Sequence, residues 1–255
     1  MATNSGYAIA PPTRRGESAI KLPLANLVSA QSGNELAARE LTRAITGLLG
    51  VAPVRRSRVT QDGAIALGSV ESSAIIRDLH PNLAGLGREG YTLRTETLNG
   101  HLTTVIAANT DVGVLYGTFH FLRLLQTRQP IDHLALRASP KVQYRMLDHW
   151  DNLDGTIERG YAGASIWDWQ KLPGYLAPRY TDYARACASI GINGTVLTNV
   201  NADAVSLTPA YIEKAAALAN VFRHWAGPPR RFGAEPRSML KTLPDLSKSP
   251  FSNQQ

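Results

Sequence analysis

Cysteine is almost absent from this chain of 255 residues: Cys187 stands alone. A single thiol excludes disulfides within the chain and any metal centre built from several cysteines, and it gives no sign of an oxidising compartment. Long apolar runs are missing too, none approaching the roughly 18 residues that a membrane-spanning helix needs. The first fifteen residues carry Pro11, Pro12, Arg14 and Arg15 where a secretory leader would need an apolar core, so a cytoplasmic protein is expected. No membrane partner is expected either.

A concentrated basic surface is also lacking. The formal net charge is +7, which raises nucleic acid as a partner. Much of that excess lies from Ala226 onward, where Arg230, Arg231, Arg237, Lys241 and Lys248 face only Glu235 and Asp245. Elsewhere the basic residues are scattered, without the aromatic-studded stripe of a single-strand binder, so no nucleic-acid partner is expected. The six histidines show no metal-ligand spacing on a helix. No metal is therefore expected.

What is present is the composition of a globular protein: 44% hydrophobic and 18% charged residues. The chain divides into four parts. Residues 1–20 read as a loose polar arm. Residues 21–140 read as an α/β domain. In it Asn34 is placed to cap a helix with Ala37, Leu41, Ile45 and Leu48 on one face and Gly50 as its stop. The run Ala64 to Val70 has the character of a buried strand, and Ser72 or Ser73 opens a short helix. Tyr91 to Leu98 and His101 to Ala108 flank Asn99-Gly100, a dipeptide that favours a tight primed hairpin turn. Val112, Leu115, Phe119, Leu122 and Leu125 then recur at helical spacing after Asn109 and Thr110. Gly85, Gly87 and Gly90 satisfy a dinucleotide-binding glycine pattern, but they precede a strand where that motif must precede a helix. They read as loop punctuation.

Residues 141–225 hold the informative pattern. A strand over Tyr144 to Leu147 leads into His149-Trp150-Asp151-Asn152 and a long loop rich in glycine and tryptophan. A helix is predicted over Arg179 to Ile190, a strand over Thr195 to Val200, and a helix over Pro209 to Trp225 capped by Thr208. Strand, helix, strand, helix is the opening of a parallel β/α architecture, whose sites form beyond the C-terminal ends of the strands. Position alone nominates His149, Trp150, Asp151, Asn152, Asn199 and Asn201. Asp148, Asp151, Asp154 and Glu158 are close in sequence, and hydrogen bonding to the loop backbone is the favoured role for them. His149 is expected to orient or pack. Trp167 and Trp169 read as core-facing or loop-anchoring residues.

The runs His149 to Gly155, Ile157 to Gly163 and Ser165 to Trp169, with Arg179-Tyr180, Asp182 to Arg185, Gly191 to Val196 and Asn199 to Ala202, resemble the α-glucuronidases of glycoside hydrolase family sixty-seven. Glu89-Gly90-Tyr91 and Asn109 to Gly117 resemble the α/β domain that precedes the barrel in that family and in hexosaminidase-like enzymes. The resemblance implies a hexosaminidase-like α/β domain followed by an incomplete (β/α)8 TIM barrel of about two of eight units. It implies cofactor-free hydrolysis, with inversion, of the α-1,2 bond between (4-O-methyl)glucuronic acid and xylo-oligosaccharides, with glucuronoxylan-derived oligosaccharides as partners. A homodimer is expected only of a full-length relative. Trp150 matches a tryptophan near the bound uronic acid and Val200 a residue of the pocket floor; His149, Asp151 and Asn201 join them as substrate-binding candidates. Asp148 and Thr198 depart from the pattern, which has asparagines there. Inversion needs two carboxyl groups roughly 6.5–9.5 Å apart. The resemblance places those on later barrel strands, so no catalytic residue is assigned and the chain is expected to be inactive alone.

From Ala226 to Gln255 the apolar periodicity stops and five of the 15 prolines appear. An atypical, disordered tail is expected, and the abrupt change points to a frameshift or premature end in the source gene. An open two-stranded piece should be poorly stable or aggregate. A non-catalytic carbohydrate-binding or interaction module is the alternative function.

Overall fold

The computed structural model describes residues 26–29, 34–198 and 201–226. The expected arm at 1–20 and nearly all of the expected tail lie outside these residues. The first sheet has six strands in the order β2-β1-β3-β5-β4-β6. They are β1 (Asn26–Ser29), β2 (Val54–Arg56), β3 (Ala64–Ser69), β4 (Tyr91–Leu98), β5 (His101–Ala108) and β6 (Ala135–Ala138). β2, β1, β3 and β5 run parallel, while β4 is antiparallel to both β5 and β6.

Alternation along the central strands builds two cores. Ile65 and Leu67 of β3, with Ile106 and Ala108 of β5, meet helices α1 (Glu35–Leu49) and α3 (Asp111–Gln126) on one face. Ala64, Ala66, Val105 and Ala107 turn to the opposite face, against Ile76 of α2 (Ala74–Asp78), Leu83 and Leu86. All six residues of β3 are buried, the signature of a central strand covered on both sides. The hairpin turn has Asn99 at φ 52° and Gly100 at φ 83°, the left-handed pair that a primed turn demands.

Two features of α1 differ from the sequence reading. Asn34 occupies the cap position but makes no capping bond; its side-chain amide instead donates to Ser72 Oγ at 2.7 Å. Leu48, expected on the apolar stripe with Ala37, Leu41 and Ile45, is exposed because the last turn runs past the edge of the sheet core. Gly50 ends the helix in the left-handed conformation, as its position predicts. Ser73 caps α2 and Thr110 caps α3, each accepting from a backbone N–H three residues on.

A second, two-stranded parallel sheet follows, made of β7 (Met146–Asp148) and β8 (Gly194–Val196), with α4 (Pro178–Ser189) between them and α5 (Pro209–Ala226) after. β7 starts two residues later than expected. β8 is three residues long where six were expected, and Asn199 and Val200 lie outside the described residues. Ala184, Ala188 and Trp225 extend the α1/α3 core, seating α4 and α5 on the first domain. Glu89 joins the sheets: one carboxylate oxygen accepts from Arg145 Nη2 at 2.7 Å and the other from Asn193 Nδ2 at 3.1 Å.

Candidate functional site

The site forms where β7 ends. His149 N–H donates to Val196 O of β8 at 3.1 Å, so the chain leaves the sheet with the parallel ladder still pinned. The side chains then alternate between inside and outside. His149 is largely covered, Trp150 is 44% exposed, and Asp151 is 2% exposed.

Three neighbours hold the His149 ring. Its Nε2 lies 2.7 Å from the Tyr183 hydroxyl of α4, its Nδ1 lies 3.6 Å from Asp151 Oδ1, and its ring packs at a tilt against Trp167 with centroids 5.2 Å apart. The Tyr183 ring meets His149 edge-on. Burial pushes the Tyr183 hydroxyl well above the ordinary tyrosine value, and its neighbour Cys187 adds to this, so it stays protonated and available as a donor. Asp151 is completed by Ser165 Oγ, which donates to its other oxygen. A buried carboxylate needs such partners.

The long loop after Trp150 is ordered by its own polar groups. Glu158 N–H returns to Trp150 O at 2.8 Å, and Asn152 Nδ2 donates to Thr156 Oγ1 and to Glu158 O. Asp154 accepts from both the backbone N–H and the hydroxyl of Thr156, and those bonds hold its carboxyl below the usual range. Gly155, Gly160 and Gly163 adopt positive φ, which lets the loop fold back on itself. Trp167 and Trp169 are buried, at 1% and 3%, among Leu172, Tyr180 and Leu218. They serve as core, in agreement with the sequence reading.

Sequence reasoning placed His149, Trp150 and Asp151 together, and the fold brings them to one strand exit. Asn201 follows Asn199 and Val200, which lie outside the described residues. Two residues of the exit escaped the sequence reading. Tyr183 and Ser165 enter that reading only within the runs of the family resemblance, with no role at the site; they reach it from 34 and 14 positions away. Local spacing carries no signal for either. Among the described residues no group of three His, Cys, Asp or Glu side chains is placed to hold a metal ion, and no helix is long and apolar enough to cross a membrane.

A GH138 enzyme targeting pectin rhamnogalacturonan II superposes with a TM-score of 0.53 at 14% identity, covering 79% of this chain and 30% of that one. At this identity the likeness concerns the fold. Two family models match in succession: the glycosyl hydrolase family 67 N-terminus over residues 8–121 and the family 67 middle domain over residues 124–227. The chain belongs to glycosyl hydrolase family 67. It is 34% identical over 227 residues to a probable alpha-glucuronidase A of Aspergillus terreus, covering 85% of this chain and 26% of that protein. It is 32% identical over 200 residues to an alpha-glucuronidase of Hypocrea jecorina, covering 74% of this chain and 23% of that protein. The chain thus spans about a quarter of the length of the curated relatives it matches.

Proposed function

We propose that this chain supplies the N-terminal domain and the first two β/α units of an α-glucuronidase barrel. In this reading the substrate is a glucuronoxylan-derived oligosaccharide, and the bond cleaved is the α-1,2 link to (4-O-methyl)glucuronic acid. The observation that carries it is the β7 exit inside the family 67 middle-domain match: His149 and Asp151 turn inward and Trp150 is left half-exposed between them. A flat indole held by a fixed backbone suits the apolar face of a pyranose ring. His149 and Asp151 act through that backbone, and the family resemblance adds Val200 and Asn201 as substrate-binding candidates.

Turnover by inversion requires an acid and a base on opposite sides of the sugar. Two of the acidic groups near Trp150 have other duties: Asp151 is buried against Ser165 and His149, and Asp154 is bound to Thr156. In this reading the reacting pair belongs to barrel strands beyond these two units, as the family resemblance implies. Calorimetric titration of the purified chain with aldouronic acids tests the reading. Binding that Trp150→Ala weakens at least about tenfold, roughly 1.4 kcal/mol, without release of uronic acid, is the expected result. Hydrolysis by the chain alone would show that the reacting carboxylates are among its own residues; no binding at all would remove the saccharide assignment. The same half-exposed Trp150 supports a second reading, a non-catalytic carbohydrate-binding module, which expects binding to persist whatever polypeptide is added.

A further inference from the structure

The two faces of the second sheet carry different groups. His149 turns to the α4 side, where its Nε2 lies 2.7 Å from the Tyr183 hydroxyl. Successive side chains of a strand point to opposite faces, so Asp148 and Trp150, one on each side of His149, project from the other face. The His149 N–H bond to Val196 O carries the ladder past Asp148, and the alternation therefore holds as far as Trp150. The partner strand agrees. A Cβ added to Gly194 would meet Met146 Cγ at 2.8 Å, which places Met146, and with it Asp148, on the same face as Gly194 and Val196. Asp148 and Trp150 are thus neighbours in one row, with Cα atoms roughly 6.6 Å apart.

Asp148 also differs from the carboxylates around it. Asp151 and Asp154 are bound to Ser165 and Thr156, whereas Asp148 is exposed and has no hydrogen bond or ion pair among the described residues. Arg145, the nearest cation in sequence, is taken by Glu89 at 2.7 Å. The position is also one of the two where this chain departs from the family pattern, which has an uncharged asparagine of the same shape. We propose that Asp148 sets the selectivity of the Trp150 platform by charge. A sugar stacked on the indole meets a carboxylate at its edge, which accepts hydrogen bonds from ring hydroxyls and repels an acid group. The proposal rests on the saccharide reading above and deepens it: a uronic acid must turn its carboxylate away from the sheet, and a neutral sugar is under no such restriction. Two like charges roughly 7 Å apart weaken binding about threefold even at the dielectric constant of water, and by more where protein displaces water.

The experiment titrates the full chain calorimetrically with an aldouronic acid and with the neutral oligosaccharide made by reducing its carboxyl group. The neutral ligand is expected to bind at least about threefold more tightly at low ionic strength, and the gap to narrow as salt is added. Asp148→Asn keeps the shape and removes the charge, and is expected to close the gap by improving the binding of the acid. Because the Asp148 carboxylate is exposed and unpaired, thermal melts of the chain and this variant should coincide, which separates selectivity from misfolding. Equal affinity ratios in the chain and in Asp148→Asn, or tighter binding of the acid by the unaltered chain, would overturn the proposal. If Trp150→Ala still weakens both ligands in that case, the saccharide reading stands without it. Binding of neither ligand overturns both.

Discussion

Arg185 Nε donates to Glu40 Oε2 at 2.5 Å, joining α4 to α1 across 145 positions of sequence. Glu40 is 5% exposed, a carboxylate on the buried side of its helix, and Arg185 keeps a partly wet guanidinium. The pair fixes how the second unit sits on the first. Removing one member of a buried pair strands the other charge, which typically costs about 3–5 kcal/mol, while replacing both by apolar groups often costs little. Arg185→Leu is expected to destabilise by about 3 kcal/mol, the lower end because Arg185 is partly solvated. The Glu40→Leu, Arg185→Leu double variant should recover most of that loss. Denaturant titration measures both, and a double variant as unstable as Arg185→Leu alone would contradict the account.

Glycines in helices divide by what lies beside them. On α1, Gly47 has open space where a Cβ would go, so Gly47→Ala is expected to stabilise by about 1 kcal/mol through helix propensity. On α3 a Cβ at Gly113 would sit 2.7 Å from Gly90 O and 2.8 Å from Ala108 Cβ. Gly113→Ala should therefore destabilise despite the same gain in propensity, because α3 must lift off the sheet. Thermal melts of the two variants should move in opposite directions.

Acid should weaken the first domain through His120. Its Nδ1 lies 2.9 Å from the Tyr91 hydroxyl, and burial, helped by the Arg123 guanidinium, holds its pKa below the ordinary value of 6.5. The unfolded chain then binds this proton more readily than the folded one. The stability it contributes is complete above the unfolded value and is lost as pH falls through it toward the folded value. Unfolding free energy should drop as pH falls through the ordinary histidine value of 6.5, and His120→Gln should flatten that part of the profile. An unchanged slope in the variant would assign the acid loss to other groups.

Cys187 offers a probe of the junction. It is 4% exposed on α4, and burial raises its thiol pKa. Both effects suppress the thiolate that alkylating reagents attack. Native protein should react with iodoacetamide orders of magnitude more slowly than denatured protein, at a rate set by the opening of α4. Immediate labelling in native buffer would mean that α4 is not seated as described.

The parts of the fold legible in the sequence are those specified locally. Asn99-Gly100 dictates its turn, Ser73 and Thr110 mark helix starts, and Gly50 marks a stop. β1, β2 and β6 escape such reading. β2 is Val-Arg-Arg and fully exposed, and β6 is Ala-Leu-Arg-Ala with no buried position, so neither has an apolar alternation to detect. They are strands because β1 and β4 offer them ladder partners. Likewise the residues at the β7 exit could be named from their position after a strand, but the contacts that fix them could not. Tyr183 and Ser165 reach His149 and Asp151 only after the chain has folded back over them.

Glu89 belongs to neither strand of the second sheet, yet it holds the residue just before each of them, Arg145 ahead of β7 and Asn193 ahead of β8. The two strands therefore leave from a common starting line drawn by the first domain, with Met146 level with Gly194. A slip of one residue would swap which side chains face each side of the sheet, and it would also take Arg145 or Asn193 off that carboxylate. The first domain thus acts as a jig for the second sheet: it gives three-residue strands a register that their own few ladder bonds are too short to enforce.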